Sequence, residues 1–134
     1  MVRNFLCVAA VAILLSGCTN AHKTERIAGE KPARVLRHVV LFKFKDGTTD
    51  QQIKAVENGM SALPGKIDAI YDYEWGTNVS PENLSEGFTH CFVITFLSEA
   101  DRATYLPHPA HMEFGKTFGR YVDKVLVIDY WTKQ

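Results

Sequence analysis

The sequence predicts an α+β domain of the ferredoxin-like type, βαββαβ in order, with a four-stranded antiparallel sheet carrying its helices on one face. Three features carry that expectation. Four segments are rich in β-branched and aromatic residues, two intervening segments place apolar residues at helical spacing behind Ser or Thr caps, and turn chemistry such as Asp46-Gly47 and Pro64-Gly65 separates them.

The first strand is expected over Arg37 to Lys45, closed by Asp46-Gly47. Thr49 stands three residues before Gln52, the spacing at which the two side chains cap each other's backbone N–H, and Ile53, Val56, Met60 and Leu63 then share a helical face up to Pro64-Gly65. Ile67, Ala69, Tyr71, Tyr73 and Trp75 alternate with Asp68, Asp72 and Glu74, a second strand with one wetter face. Thr77 to Gly87 collects Asn78, Pro81, Asn83 and Ser85 and reads as a loop. Phe88 to Leu97 is the third strand, after which Ser98, three residues before Asp101, caps a helix starting at Glu99. Pro107 and Pro109 interrupt that helix. Pro109 suits the first turn of a new one, on which His111, Phe114, Phe118 and Tyr121 share a face. Lys124 to Trp131 completes the sheet.

Both sets of alternate strand residues are apolar. Val40, Phe42, Phe44, Phe92, Ile94 and Phe96 face opposite Val39, Leu41, Cys91 and Val93, so helices on one side leave the other uncovered. A second copy is the economical cover, and a homodimer with its two sheets face to face is expected.

With 134 residues, 46% hydrophobic and 22% charged, the chain has the composition of one globular domain. Basic and acidic residues number 15 each, so no overall field attracts nucleic acid, and Lys43 and Lys45 read as a solvated strand edge. The first seventeen residues stand apart. Arg3, the apolar run Phe5 to Leu15, and then Ser16 and Gly17 follow the order of a signal peptide. The run is too short to span about 30 Å of hydrocarbon. Leu15-Ser16-Gly17-Cys18 resembles the lipobox of bacterial lipoproteins, in which the cysteine is acylated and the chain is cut before it; a plain secretory signal with a chance cysteine is the alternative. The expected organisation is therefore a signal peptide (1–17), a lipidated Cys18 with a polar tether (18–34), and a folded domain (35–134), exported and held at a membrane of the bacterial cell envelope. The tether would span on the order of 20 Å. Cys7 leaves with the signal and Cys18 is acylated, so Cys91 has no partner for an internal disulfide.

Four segments in order, Arg37-His38-Val39-Val40-Leu41-Phe42-Lys43-Phe44, Glu86-Gly87-Phe88-Thr89-His90, Tyr105-Leu106-Pro107-His108-Pro109-Ala110-His111 and Asp129-Tyr130, resemble the stress-responsive dimeric α/β-barrel (Dabb) family over Leu36 to Trp131. The resemblance implies a dimeric α+β barrel with a small apolar cavity in each subunit. Most members have no established activity. Some plant members are similar to cofactor-free polyketide cyclases whose acid/base pair falls on the positions of Tyr105 and His111. It further implies that His38, His90 and Asp129 border the cavity, and Phe42 and Phe92 share sheet faces with the two histidines. Export on a lipid anchor departs from the family pattern, because it removes the chain from any cytosolic polyketide synthase.

His111, in the first turn after Pro109, is expected to point inward as a neutral base, since a helix start disfavours added positive charge. It fits equally a core histidine satisfied by a backbone carbonyl. Tyr105, six residues earlier, can donate its phenol to a carbonyl or enolate oxygen, or simply pack its ring. His38 and His90 read as a substrate-binding pair or as cross-strand structure, and His108 as exposed or capping. No metal is expected, because zinc wants three or four convergent ligands and Pro109 turns His108 away from His111. No phosphate loop, dinucleotide fingerprint or serine elbow is present, so no cofactor is expected. The functional expectation is a membrane-anchored dimer that binds a small hydrophobic molecule in its barrel cavity. The alternatives are a cofactor-free cyclase or lyase acting on an enolisable carbonyl, with His111 as base and Tyr105 as oxyanion stabiliser, and a structural envelope protein.

Overall fold

Residues 32–133 are described by a computed structural model; Cys18, the expected signal peptide and the tether before Pro32 lie outside the described residues. The elements are β1 (Leu36–Phe44), α1 (Asp50–Ser61), β2 (Asp72–Thr77), β3 (His90–Phe96), α2 (Glu99–Tyr105), α3 (Pro109–Phe118), a 3-10 turn (Gly119–Tyr121) and β4 (Val122–Trp131). The strands pair antiparallel in the order β2-β3-β1-β4, the ferredoxin-like arrangement.

The helix starts follow local chemistry. Thr49 Oγ1 accepts from the Gln52 N–H at 3.3 Å while Gln52 Oε1 accepts from the Thr49 N–H at 2.9 Å, a reciprocal cap on two otherwise unpaired donors. Ser98 Oγ accepts from the Asp101 N–H at 3.0 Å, and Pro109 begins α3 with His108 Nδ1 accepting from the Ala110 N–H at 3.2 Å.

Several element boundaries differ from expectation. The second strand begins at Asp72, because Pro64-Gly65 opens a series of turns in which the N–H groups of Lys66 and Ile67 bond the Leu63 carbonyl and that of Ile70 bonds the Ile67 carbonyl. Leu63 and Ile67 are buried from these turns, so their apolar spacing belongs to neither the helix nor the strand. Tyr121 lies in the 3-10 turn instead of α3, and β4 starts two residues earlier than expected.

Along β1, Leu36, His38, Val40 and Phe42 are buried, with half-buried Arg37, Val39 and Leu41 between them. The buried set meets Val56 and Met60 of α1, Phe92, Ile94 and Phe96 of β3, and Tyr105 of α2. Each such large side chain contributes about 1.5–3 kcal/mol by leaving water. Gly59 permits close helix packing, since a Cβ there would lie 2.5 Å from the Phe118 ring. The opposite sheet face is apolar and open: Leu126, Ile128 and Tyr130 of β4 are 42%, 50% and 48% exposed beside half-buried Val39, Leu41, Cys91 and Val93.

Candidate functional site

Between the β1–β4 half of the sheet and α3 lies a hollow of about 510 Å3. Val40 and Phe42 of β1 and Val125 and Val127 of β4 form its floor, and Phe114 and Phe118 of α3 form its apolar wall. His38, Asp129, Tyr105 and His111 gather at one end.

The hydrogen bonds at that end determine which nitrogens are available. His111 Nδ1 lies 2.9 Å from the Leu106 carbonyl oxygen, which only accepts, so Nδ1 carries the proton and Nε2 keeps its lone pair when the ring is neutral. His38 Nδ1 likewise donates to Asp129 Oδ1 at 2.6 Å, and Asp129 Oδ2 accepts from Arg102 Nη1 at 2.8 Å. Tyr105 is 1% exposed; its ring centre is 4.4 Å from that of His111 and 5.7 Å from that of His38. Burial pushes its phenol well above the ordinary 10, with the neighbouring Tyr73 adding to the shift, so the hydroxyl stays a donor. Among the described residues, Tyr105 Oη, His38 Nε2 and His111 Nε2 have no hydrogen-bond partner, and none of the three is sealed in packing.

Of the residues singled out in the sequence, Tyr105, His111, His38, Phe42 and Asp129 line this one hollow, and His90 and Phe92 do not. The strand order separates them: β1 stands between β3 and β4, and the hollow lies on the β4 side. Phe92 is fully buried behind Phe42, whose ring centre is 5.2 Å away. His90 instead ties the sheet to α1, with Nε2 3.2 Å from Glu57 Oε1, Nδ1 2.9 Å from Thr89 Oγ1, and the Trp75 ring stacked on it at 6.2 Å. The Lys54 hydrogen bond, ahead of that from His90, holds the Glu57 carboxyl below the ordinary 4.5 against the opposing effect of burial. Sequence reasoning missed Arg102 and the Leu106 carbonyl. Arg102 precedes Tyr105 by three residues on α2, a spacing that was legible; the carbonyl carries no side-chain signal. Among the described residues, no three His, Cys, Asp or Glu side chains come together in a way that could hold a metal ion.

Known proteins resemble this chain in sequence and fold. The chain is 44% identical over 95 residues to the stress-response A/B barrel domain-containing protein HS1 of Arabidopsis thaliana, covering 71% of this chain and 87% of that protein. It is 35% identical over 95 residues to the olivetolic acid cyclase of Cannabis sativa, covering 71% and 94%. Among solved structures, the hydroxynitrile lyase of Passiflora edulis superposes with a TM-score of 0.70 at 28% identity over 75% of this chain and 94% of the lyase. A dimeric ferredoxin-like protein of unknown function from Bacteroides fragilis superposes with a TM-score of 0.59 at 29% identity, covering 72% and 94%. Residues 36–132 match the family model of the stress responsive A/B barrel domain, and with the sheet order and these relatives the chain belongs to that family.

Proposed function

We propose that this chain is a lipid-anchored, exported homodimer that binds a small hydrophobic molecule with a polar head in the hollow of each subunit. The observation that carries the reading is the meeting of one donor, Tyr105 Oη, and two acceptors, His38 Nε2 and His111 Nε2, at one end of a mostly apolar space. A volume of about 510 Å3 falls within the range of small-molecule sites, and it argues against a purely structural envelope role, which would favour a filled interior. The dimer is supported by the open apolar face of β1, β3 and β4 and by the dimeric relative from Bacteroides fragilis. Anchoring and export rest on Leu15-Ser16-Gly17-Cys18 and the apolar run before it.

One observation favours a second reading, proton transfer on an enolisable carbonyl. With Nδ1 donating to the Leu106 carbonyl, the neutral His111 ring presents the lone pair of Nε2 beside a phenol that burial keeps protonated. Nε2 would take a proton from the carbon next to a carbonyl while Tyr105 donates to the oxygen that becomes the enolate, with no cofactor in the step. Resemblance to a cyclase and to a lyase supports a catalytic role.

Both readings are tested together. Nonane-2,4-dione, an enolic diketone with an alkyl tail, should bind saturably at one molecule per subunit, read by its ultraviolet band and by native mass spectrometry. Absence of binding and of any co-purified ligand would reject the hollow as a binding site. Acceleration of the exchange of the protons next to the carbonyl of nonan-2-one in deuterated water, lost in His111→Ala, would establish proton transfer; binding without acceleration leaves a binding protein.

A further inference from the structure

Glu99, Arg102 and Tyr105 recur every three residues along α2, on one side of the helix. Each meets the strands beneath in succession: Glu99 Oε1 accepts from Trp131 Nε1 at 3.5 Å, Arg102 Nη1 donates to Asp129 Oδ2 at 2.8 Å, and the Tyr105 ring lies 5.7 Å from that of His38. Asp129 stands directly opposite His38 in the β1–β4 register and holds its Nδ1 at 2.6 Å. The Asp129 side chain is 31% exposed on an edge strand, so without a second partner the carboxylate is free to turn toward water. An imidazole can flip about its terminal bond with little change of shape, and the partner on one nitrogen decides which nitrogen the hollow receives.

We propose that Arg102 is a positioning residue for the hollow: by occupying the second oxygen of Asp129 it fixes the ring orientation and tautomer of His38, and it sets the separation of that imidazole from the Tyr105 phenol one turn further along α2. A carboxylate bonded through both oxygens to two different elements cannot rotate, and a guanidinium is the side chain suited to hold it in one plane. The same short helix is capped by Leu106, whose carbonyl holds His111 Nδ1. The contacts that seat α2 on β4 therefore set His38 Nε2 against Tyr105 Oη, while the Leu106 carbonyl orients His111. The ligand side of this inference rests on the binding reading above; the histidine side does not.

The test compares the full-length chain with Arg102→Met, Arg102→Gln and Arg102→Lys at mildly alkaline pH, using ring-nitrogen NMR shifts of His38 and His111 and the dissociation constant for nonane-2,4-dione. In the unaltered protein His38 should show one tautomer, protonated at Nδ1. Arg102→Met should give averaged His38 nitrogen shifts with His111 still in one tautomer, and should weaken dione binding about tenfold through misplacement of the polar groups. Arg102→Lys should restore most of both. An unchanged His38 pattern in folded Arg102→Met overturns the proposal; if that variant does not fold, identical His38 patterns in Arg102→Gln and Arg102→Lys overturn it. Failure of the unaltered protein to bind the dione rejects the binding reading alone, and the nitrogen shifts still decide the role of Arg102.

Discussion

The rings of Tyr105 and His111 lie 4.4 Å apart and tilted by 35°, one from the end of α2 and the other from the first turn of α3. The break at Pro107 and Pro109 brings them together. A continuous helix would hold residues six apart about 9 Å from each other along its axis, whereas here a second helix starts afresh and its histidine turns back onto the Leu106 carbonyl.

Tyr105→Phe should change the alkaline limb of stability. The folded phenol binds its proton more tightly than the unfolded one, so this group's contribution is fully present below the ordinary value of 10 and is lost as pH rises through the higher folded value. In urea unfolding, the midpoint of the unaltered protein should fall above pH 10 relative to that of Tyr105→Phe, which has nothing to ionise there. Parallel pH profiles for the two proteins would count against a buried phenol.

Gly59→Ala should be destabilising although alanine is the better helix former. The added Cβ would sit 2.5 Å from the Phe118 ring, and overpacking of this kind costs about 1–3 kcal/mol. Because Phe118 also lines the hollow, dione affinity should fall together with the unfolding midpoint.

Acid sensitivity should trace partly to Glu57. Its carboxyl is held below the ordinary 4.5 chiefly by the hydrogen bond from Lys54, with His90 adding, so its contribution is present above 4.5 and disappears as pH falls through the lower folded value. Glu57→Gln should flatten the loss of stability on that side, measured as unfolding midpoints from neutral to acid pH. An unaltered acid limb would place the sensitivity at other carboxylates.

Ile128→Asp should yield a monomer. Ile128 is half exposed on the open sheet face, opposite Val39, and a carboxylate there cannot be buried between two apolar sheets without a partner. Sedimentation or light scattering should show the unaltered protein at twice the mass of the variant. A monomeric unaltered protein would reject the face-to-face dimer.

Cys18→Ala should release the chain from the membrane fraction of a bacterial host and remove the fatty-acyl mass from its N-terminus. A soluble, unacylated chain before substitution would reject the lipid anchor.

Much of the fold was legible because its signals are local. Thr49 with Gln52, Ser98 with Asp101, and Pro109 each mark a helix start through bonds made within one turn, and these caps form where the residues place them. The failures were also physical. Ile67 imitates a strand residue because a buried turn and a half-buried strand make the same demand for an apolar side chain. His90 has the parity of a cavity residue yet lies with Glu57 and Trp75.

The amino-acid order by itself determined the succession of strands and helices and which side of the sheet each strand residue faces, since both follow from contacts spanning a few residues. Only the tertiary structure decided the neighbours. Alternation along a strand separates the two faces but carries no information about which strand lies to the left or right. It was the order β2-β3-β1-β4 that set His38 beside Asp129 and the hollow while leaving His90 two strands from β4. The partnership of Arg102 with Asp129 joins residues 27 apart across a helix and an edge strand, and long-range pairing of that kind appears only once the chain has folded.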